Sequence, residues 1–293
     1  MWPRINWVDR DVEHHGKNID NKKCVVVIPV YKQEPNFFET ESLKQVVKVL
    51  GDKYELVLVC PMTLDVNKYN SIADYEFSVL RCNNAFFKSQ RSYSDMCEAW
   101  QFYDAFSEYE FMVIYQLDAW IFEDRLDYFI KKDYDYIGAP HLIGFTGHEK
   151  YGENGNGGFC LRRIKPFIDV CKKTDFSRFG NLEDCAFTQQ LKSNFKLAPI
   201  ELCREFSFQE IPHIQYQRNG NKLPMGCHAF RKFNEKFWKQ YITAYDNIDY
   251  KEEEKKINKA TMELMYGPID GIDTGDYKLR KFKAVKRRVI KKH

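Results

Sequence analysis

Three short stretches of this chain are apolar almost without interruption: "KCVVVIPVY" (23–31), "YELVLVCP" (54–61) and "FMVIY" (111–115). A strand that alternates apolar with polar residues can leave one face in water, but a strand apolar on both faces must be covered on both. The intervening segments supply the cover. "PNFFETESLKQVVKVL" (35–50) carries Pro35 near a helix start, and Met96, Trp100, Tyr103 and Phe106 recur at helical spacing, predicting an amphipathic helix over 93–108. "YEFSVLR" (75–81) reads as a further strand, and "RLDYFIKK" begins another helix. This order predicts an α/β layered domain with a largely parallel sheet. In such sheets ligands bind beyond the carboxyl ends of the strands. Asp118, in "FMVIYQLDAWIF" (111–122), stands just past such an end.

Past residue 138 the pattern loosens. The stretch 144–159 is glycine-rich and without apolar period, which predicts a loop. Helices are expected over 182–194, 231–245 and 251–265. The resulting division is an N-terminal segment (1–22), one domain (23–248) and a helical, basic C-terminal extension (249–293). The nine cysteines are scattered and never form a CxxC pair, so neither a zinc ribbon nor a disulfide framework is expected. They read as free thiols of a reducing cytoplasm. The first residues lack the apolar stretch of a signal peptide and no later run is long enough to span a bilayer, which predicts a soluble, cytoplasmic protein. Net charge is +3, yet the last 16 residues hold nine Lys or Arg and no acid, so the rest of the chain is net negative. Cations confined to one end of an acidic body argue against a nucleic-acid partner.

Four motifs could carry chemistry. Asp118 reads either as a cap for the turn that follows its strand or as a hard carboxylate holding a divalent cation, with Gln116 pointing the same way if the chain stays extended. In "GNGGFCLRR" (155–163), Gly157 and Gly158 suit a plain turn or close approach of backbone to a ligand, and Arg162 offers positive charge for a phosphate. The segment lacks the GK[ST] of a P-loop and the spacing of a dinucleotide fingerprint. In "NLEDCAF", Glu183 and Asp184 either favour a helix dipole or provide a general base and its neighbour. His228, in "PMGCHAF", is a loop histidine of either structural or ligating use.

Taken in order, "VVVIPVY", "QLDAW", "DYIGAP", "GNGGFCLRR", "LEDCAF" and "PMGCHAF" resemble a glycosyltransferase of the GT-A fold, and in particular a largely uncharacterised microbial family of sugar transferases. The resemblance spans about residues 23 to 230. It implies a Rossmann-like, mostly parallel sheet flanked by helices, binding a nucleotide sugar through a divalent cation, Mn²⁺ or Mg²⁺. Asp118 falls at the last position of the family's DxD metal motif, and Gln116 replaces its first Asp, leaving one charge fewer on the cation. His228 matches the late histidine that completes the metal site. Asp184 would be the base and Glu183 would contact the acceptor. Pro29, Val30, Tyr31, Gln116, Asp118, Ala119, Gly157, Gly158 and Arg162 would line the nucleotide-sugar pocket, with Tyr31 stacking on the base.

These assignments imply transfer of a sugar, with UDP as the expected nucleotide, to a hydroxyl of a glycan or lipid-linked acceptor, with inversion, in bacterial surface polysaccharide synthesis. In a helix, Leu279, Phe282, Val285 and Val289 would share one face with cations around them, so residues 278–293 are expected to meet anionic lipid at the inner membrane face. The alternatives are a sugar nucleotidyltransferase, for which "IPVYKQEP" lacks the glycine-rich signature after the first strand, and a non-catalytic carbohydrate- or nucleic-acid-binding protein.

Overall fold

The computed structural model describes residues 5, 7, 11–15, 22–141, 155–179, 182–246 and 248. The expected segments 251–265 and 278–293, residues 144–154 of the loop 144–159 and most of 1–22 lie outside the described residues.

Two sheets organise the described chain. The larger has six strands in the order β3-β2-β1-β4-β7-β6, comprising β1 (Cys24–Pro29), β2 (Glu55–Pro61), β3 (Ser78–Cys82), β4 (Phe111–Tyr115), β6 (Tyr136–Gly138) and β7 (Phe159–Arg163). Strands β1 to β4 are parallel neighbours, while β7 runs antiparallel to both β4 and β6 and is the sheet's one reversed strand. The smaller sheet sets β9 (Gly226–His228) between β5 (Ala119–Ile121) and β8 (Ser207–Phe208). No helix among the described residues is long and apolar enough to cross a membrane.

Apolar runs became central strands because alternate side chains enter two separate cores. Val26, Ile28, Leu56, Leu58 and Val113 pack on one face with Leu43, Val46 and Leu50 of α1 (Phe37–Leu50). Val25, Val27, Val57, Val59 and Ile114 pack on the other with Phe102, Phe106 and Phe167. Each such aliphatic side chain stabilises the fold by roughly 1.5–3 kcal/mol when fully buried. Helix α1 begins where Pro35 indicates: Asn36 Oδ1 accepts from Glu39 N at 3.0 Å and Glu39 Oε2 accepts from Asn36 N at 2.8 Å. This reciprocal cap satisfies two otherwise orphaned donors.

Three expected helices differ from expectation. The segment 93–108 is not continuous. After α2 (Asn67–Ala73), helix α3 (Gln90–Cys97) stops and α4 (Trp100–Asp104) starts anew, because Tyr103 Oη donates to Cys97 O at 2.8 Å and Arg162 Nη1 donates to Tyr103 Oη at 2.8 Å. Tertiary contacts thus supply the bond the broken helix loses. Beyond α5 (Leu126–Lys131) and α6 (Ile164–Lys173), the segment 182–194 opens with one turn, α7 (Glu183–Cys185), and passes into a π-turn (Ala186–Gln190). Thr188 Oγ1 takes the Asp184 carbonyl at 2.6 Å, and Leu191 N reaches back to Ala186 O at 2.9 Å. π-turns recur at functional sites. The segment 231–245 retains only Glu235–Trp238 as helix, followed by a 3₁₀ turn at Thr243–Asp246.

Candidate active site

The reversed strand β7 decides where the motifs meet. Because β7 is antiparallel to β4, its first residue lies opposite the last residue of β4, with Phe159 paired to Tyr115. The two glycines that precede β7 therefore reach the residues that follow β4, and Gln116 N donates to Gly158 O at 2.9 Å. The segment after β4 does not stay extended. It turns, with Ala119 N donating to Gln116 O at 2.8 Å, and enters β5. Helix α1 holds this turn from beneath: buried Ser42 donates to Ala119 O at 2.7 Å and lies 3.0 Å from Tyr115 Oη.

Strand β5 then pairs with β9 so that Ala119 opposes His228. This register sets the imidazole over the turn. His228 Nε2 lies 3.0 Å from Asp118 Oδ1 and 3.2 Å from Gln116 Oε1. The ring's other nitrogen, Nδ1, lies 2.8 Å from the oxygen of buried Gln209, the residue after β8. Nε2 donates to Asp118 when protonated; a cation that takes the place of that proton would meet the Nε2 lone pair, with the Nδ1 proton donated to Gln209. The Asp118 side chain is 54 % exposed and that of His228 10 %. Desolvation pushes the Asp118 carboxyl up, but the charge and hydrogen bond of His228 outweigh it and hold the group below the usual carboxylate range. A carboxylate oxygen, an amide oxygen and an imidazole nitrogen converging in this way suit Mn²⁺ or Mg²⁺ as a donor set.

The diglycine connects this cluster to the second. A Cβ on Gly158 would lie 2.2 Å from His228 Nε2, and one on Gly157 would lie 2.8 Å from both Arg162 Nη2 and Glu183 Oε1. Only glycine permits both approaches. Gly157 N donates to Asp184 Oδ2 at 3.2 Å, and Cys185 N donates to Asp184 Oδ1 at 2.7 Å. The Cys185 thiol also hydrogen-bonds this carboxylate, which has four lone pairs for its three donors.

Glu183 and Arg162 occupy places different from those the resemblance implies. Glu183 is buried, with Oε2 accepting from Ser94 at 2.9 Å and Oε1 from Arg162 Nη2 at 3.2 Å. Burial and the neighbouring Asp184 charge push its carboxyl up, partly offset by Arg162 and Ser94. Arg162 is fully buried and sits among the Tyr136, Phe167 and Phe187 rings. Its charge serves Glu183, not a diphosphate at the surface, because the alternation along β7 turns its side chain into the core. On β1 the end of the strand places Pro29 and Val30 in the interior, while Tyr31 is 56 % exposed.

Sequence reasoning missed Gln209 and its setting. In "SFQEIPH" (207–213) the backbone of Ile211 has φ of 43°, a left-handed conformation unusual for a β-branched residue. Such strain concentrates at functional sites. Proline favours an extended residue before it, so the Ile-Pro pair offered no cue to this conformation.

The sequence profile of the family described as "Protein of unknown function (DUF5672)" matches residues 76–228, more than half of the chain. The chain belongs to this family. No curated protein matches it in sequence. Among solved structures, the apo form of the bifunctional glycosyltransferase WbbM superposes with a TM-score of 0.51 at 9 % identity, covering 83 % of this chain and 53 % of WbbM. The glycosyltransferase GlyE of Streptococcus pneumoniae TIGR4 gives 0.49 at 12 % identity, covering 80 % of this chain and 63 % of GlyE. The galactosyltransferase LgtC gives 0.46 at 11 %, covering 80 % and 96 %. The chain thus spans about half the length of WbbM. The likeness to WbbM, with the mixed α/β topology above, gives this DUF5672 member the GT-A fold expected from its motifs.

Proposed function

We propose that this DUF5672 protein is a glycosyltransferase that moves a sugar from a nucleoside-diphosphate sugar, with UDP the favoured nucleotide, to a hydroxyl of a glycan or lipid-linked acceptor. The observation that carries the reading is the meeting of Asp118, Gln116 and His228 at the end of β4, joined through Gly157 and Gly158 to Asp184. A carboxylate and an imidazole for a metal–diphosphate, beside a second carboxylate able to take a proton, are what transfer to a hydroxyl requires.

Asp118 and His228, with Gln116, would hold the divalent cation, which supplies positive charge where the leaving diphosphate becomes more negative. Tyr31 offers its exposed ring to the nucleotide base. Asp184 takes the proton from the acceptor hydroxyl. The oxygen lone pair forms the new bond to the anomeric carbon as the bond to the diphosphate oxygen breaks, its electron pair leaving with the nucleoside diphosphate. One in-line displacement inverts the anomeric centre. Glu183, engaged by Ser94 and Arg162, acts as a positioning residue that fixes the turn bearing Asp184.

A screen of nucleotide sugars for thermal stabilisation of the full chain, with and without Mn²⁺, tests this reading. One donor should raise Tm with Mn²⁺ present, and Asp118→Ala should abolish that gain. No stabilisation by any donor would overturn it. The place in surface polysaccharide synthesis is supported by the cationic, periodically apolar segment 278–293, which would hold the enzyme against anionic lipid at the inner membrane face. In flotation with vesicles containing anionic phospholipid, the full chain should rise with the lipid and a chain ending at 277 should not.

A further inference from the structure

Outside the Asp118–His228 cluster, the described residues bring together one other set of metal-ligating types: His141, Asp184 and Cys185, whose donor atoms all lie within 4.8 Å of one another. Two parts of the fold supply them: Asp184 and Cys185 are neighbours on the turn of α7, and His141 comes from beyond β6. His141 follows β6 at the end of "DYIGAPH" and is buried. It fits only because residue 155 is glycine, since a Cβ there would lie 1.9 Å from His141 Cδ2. Asp184 is oriented by the backbone N–H groups of Gly157 and Cys185. Cys185 is buried on the turn of α7 beside the start of the π-turn.

We propose that His141, Asp184 and Cys185 form a site for a thiophilic divalent cation of the Zn²⁺ class, separate from the oxygen-rich site at Asp118. The donor chemistry distinguishes the two. Asp118, Gln116 and His228 offer two oxygens and an imidazole but no sulfur, which suits Mn²⁺ or Mg²⁺, whereas a thiolate added to an imidazole and a carboxylate selects Zn²⁺ or Co²⁺. Three protein ligands leave a fourth tetrahedral position open. Zinc distances of about 2.0 to 2.3 Å to such ligands require only a modest closing of the present spacing. Binding forms the bond from Cys185 Sγ to the metal while the thiol proton passes to solvent, so affinity rises with pH. On the function proposed above, an ion here would occupy the carboxylate of the base, making the site inhibitory. That consequence rests on the glycosyltransferase reading, while the site itself does not.

Cobalt gives the test a readout that owes nothing to turnover. Co²⁺ added to the full-length apoprotein should produce the near-ultraviolet absorption of a cobalt–thiolate bond. Cys185→Ser should lose that absorption, His141→Gln should weaken Co²⁺ binding at least about tenfold, and Asp118→Asn should keep both. Absence of the thiolate band in the wild-type protein at saturating Co²⁺, or its persistence in Cys185→Ser, overturns the proposal. If Cys185→Ser does not fold, His141→Gln decides alone, and unchanged affinity is the overturning result. Failure of the glycosyltransferase reading would instead appear as a protein that binds Co²⁺ through Cys185 but is stabilised by no nucleotide sugar.

Discussion

The two sheets of this molecule divide its labour. In the six-stranded sheet, β1, β2 and β4 are buried on both faces, each face backed by its own core. In the three-stranded sheet the strands are two or three residues long, and a smaller cluster built on Phe38, Trp120, Phe208 and Trp238 supports them. Yet β5 and β9 bring Asp118 and His228 together, and the end of β8 supplies Gln209. The large sheet provides rigidity and a place to bind, and the small sheet provides the register that aims side chains. Substitutions in the first should therefore fail as stability, and those in or beside the second as binding or turnover.

The largest separation is expected at Asp184. On the proposed function, Asp184→Asn keeps an acceptor for a backbone N–H but loses the base, so kcat should fall by about 10²–10⁴. Tm should stay near the wild-type value. Comparing initial rates with melting curves checks this, and a variant that melts early would make Asp184 a structural residue.

Ile114→Ala is the converse case. Ile114 is fully buried within β4, and truncation should cost about 2–5 kcal/mol in denaturant unfolding. Metal affinity of the folded fraction should be unchanged, and a shift in Mn²⁺ affinity comparable to the loss of stability would erase the distinction between the sheets.

Gln209→Leu should act in the opposite sense. Removing the acceptor of the Nδ1 proton frees the His228 ring and its tautomer, which should weaken Mn²⁺ binding by about 10- to 100-fold, with little change in unfolding free energy. Titration calorimetry on the folded variant measures it.

The smallest effect concerns Glu98, fully buried where α3 gives way to α4 and paired with Arg91. Burial pushes its carboxyl up to about 8, only partly offset by Arg91. The folded state thus holds a proton that the unfolded chain releases near its ordinary value of about 4.3. Glu98 should contribute stability that is complete below that value and lost as pH rises towards 8. The difference in Tm between wild type and Glu98→Gln should therefore drift in favour of the variant across that range. A difference independent of pH would mean Glu98 stays ionised throughout.

How much of this was legible depends on the distance over which each signal acts. Val25 to Ile28 announce a central strand because every residue in the run must be buried, and Pro35 announces the helix start that follows two residues later. The break at Glu98 and Ala99 carries no glycine or proline. It is held by Tyr103 and Arg162, the latter 59 positions from Tyr103. Likewise, Arg162 in "GNGGFCLRR" looks like a cation for a phosphate until the pairing of β7 shows which way it points.

What the sequence by itself determined is the layered α/β architecture, the position of Asp118 just beyond a strand, and the residue types of the site. Those follow from burial and backbone preference, which act locally. Only the tertiary structure decided that β7 runs backwards, that the diglycine lies between His228 and Asp184, that Arg162 and Glu183 are interior partners, and that Gln209 stands behind the imidazole. Each depends on strand register between segments far apart in the chain, where a shift of one residue would turn every side chain to the opposite face.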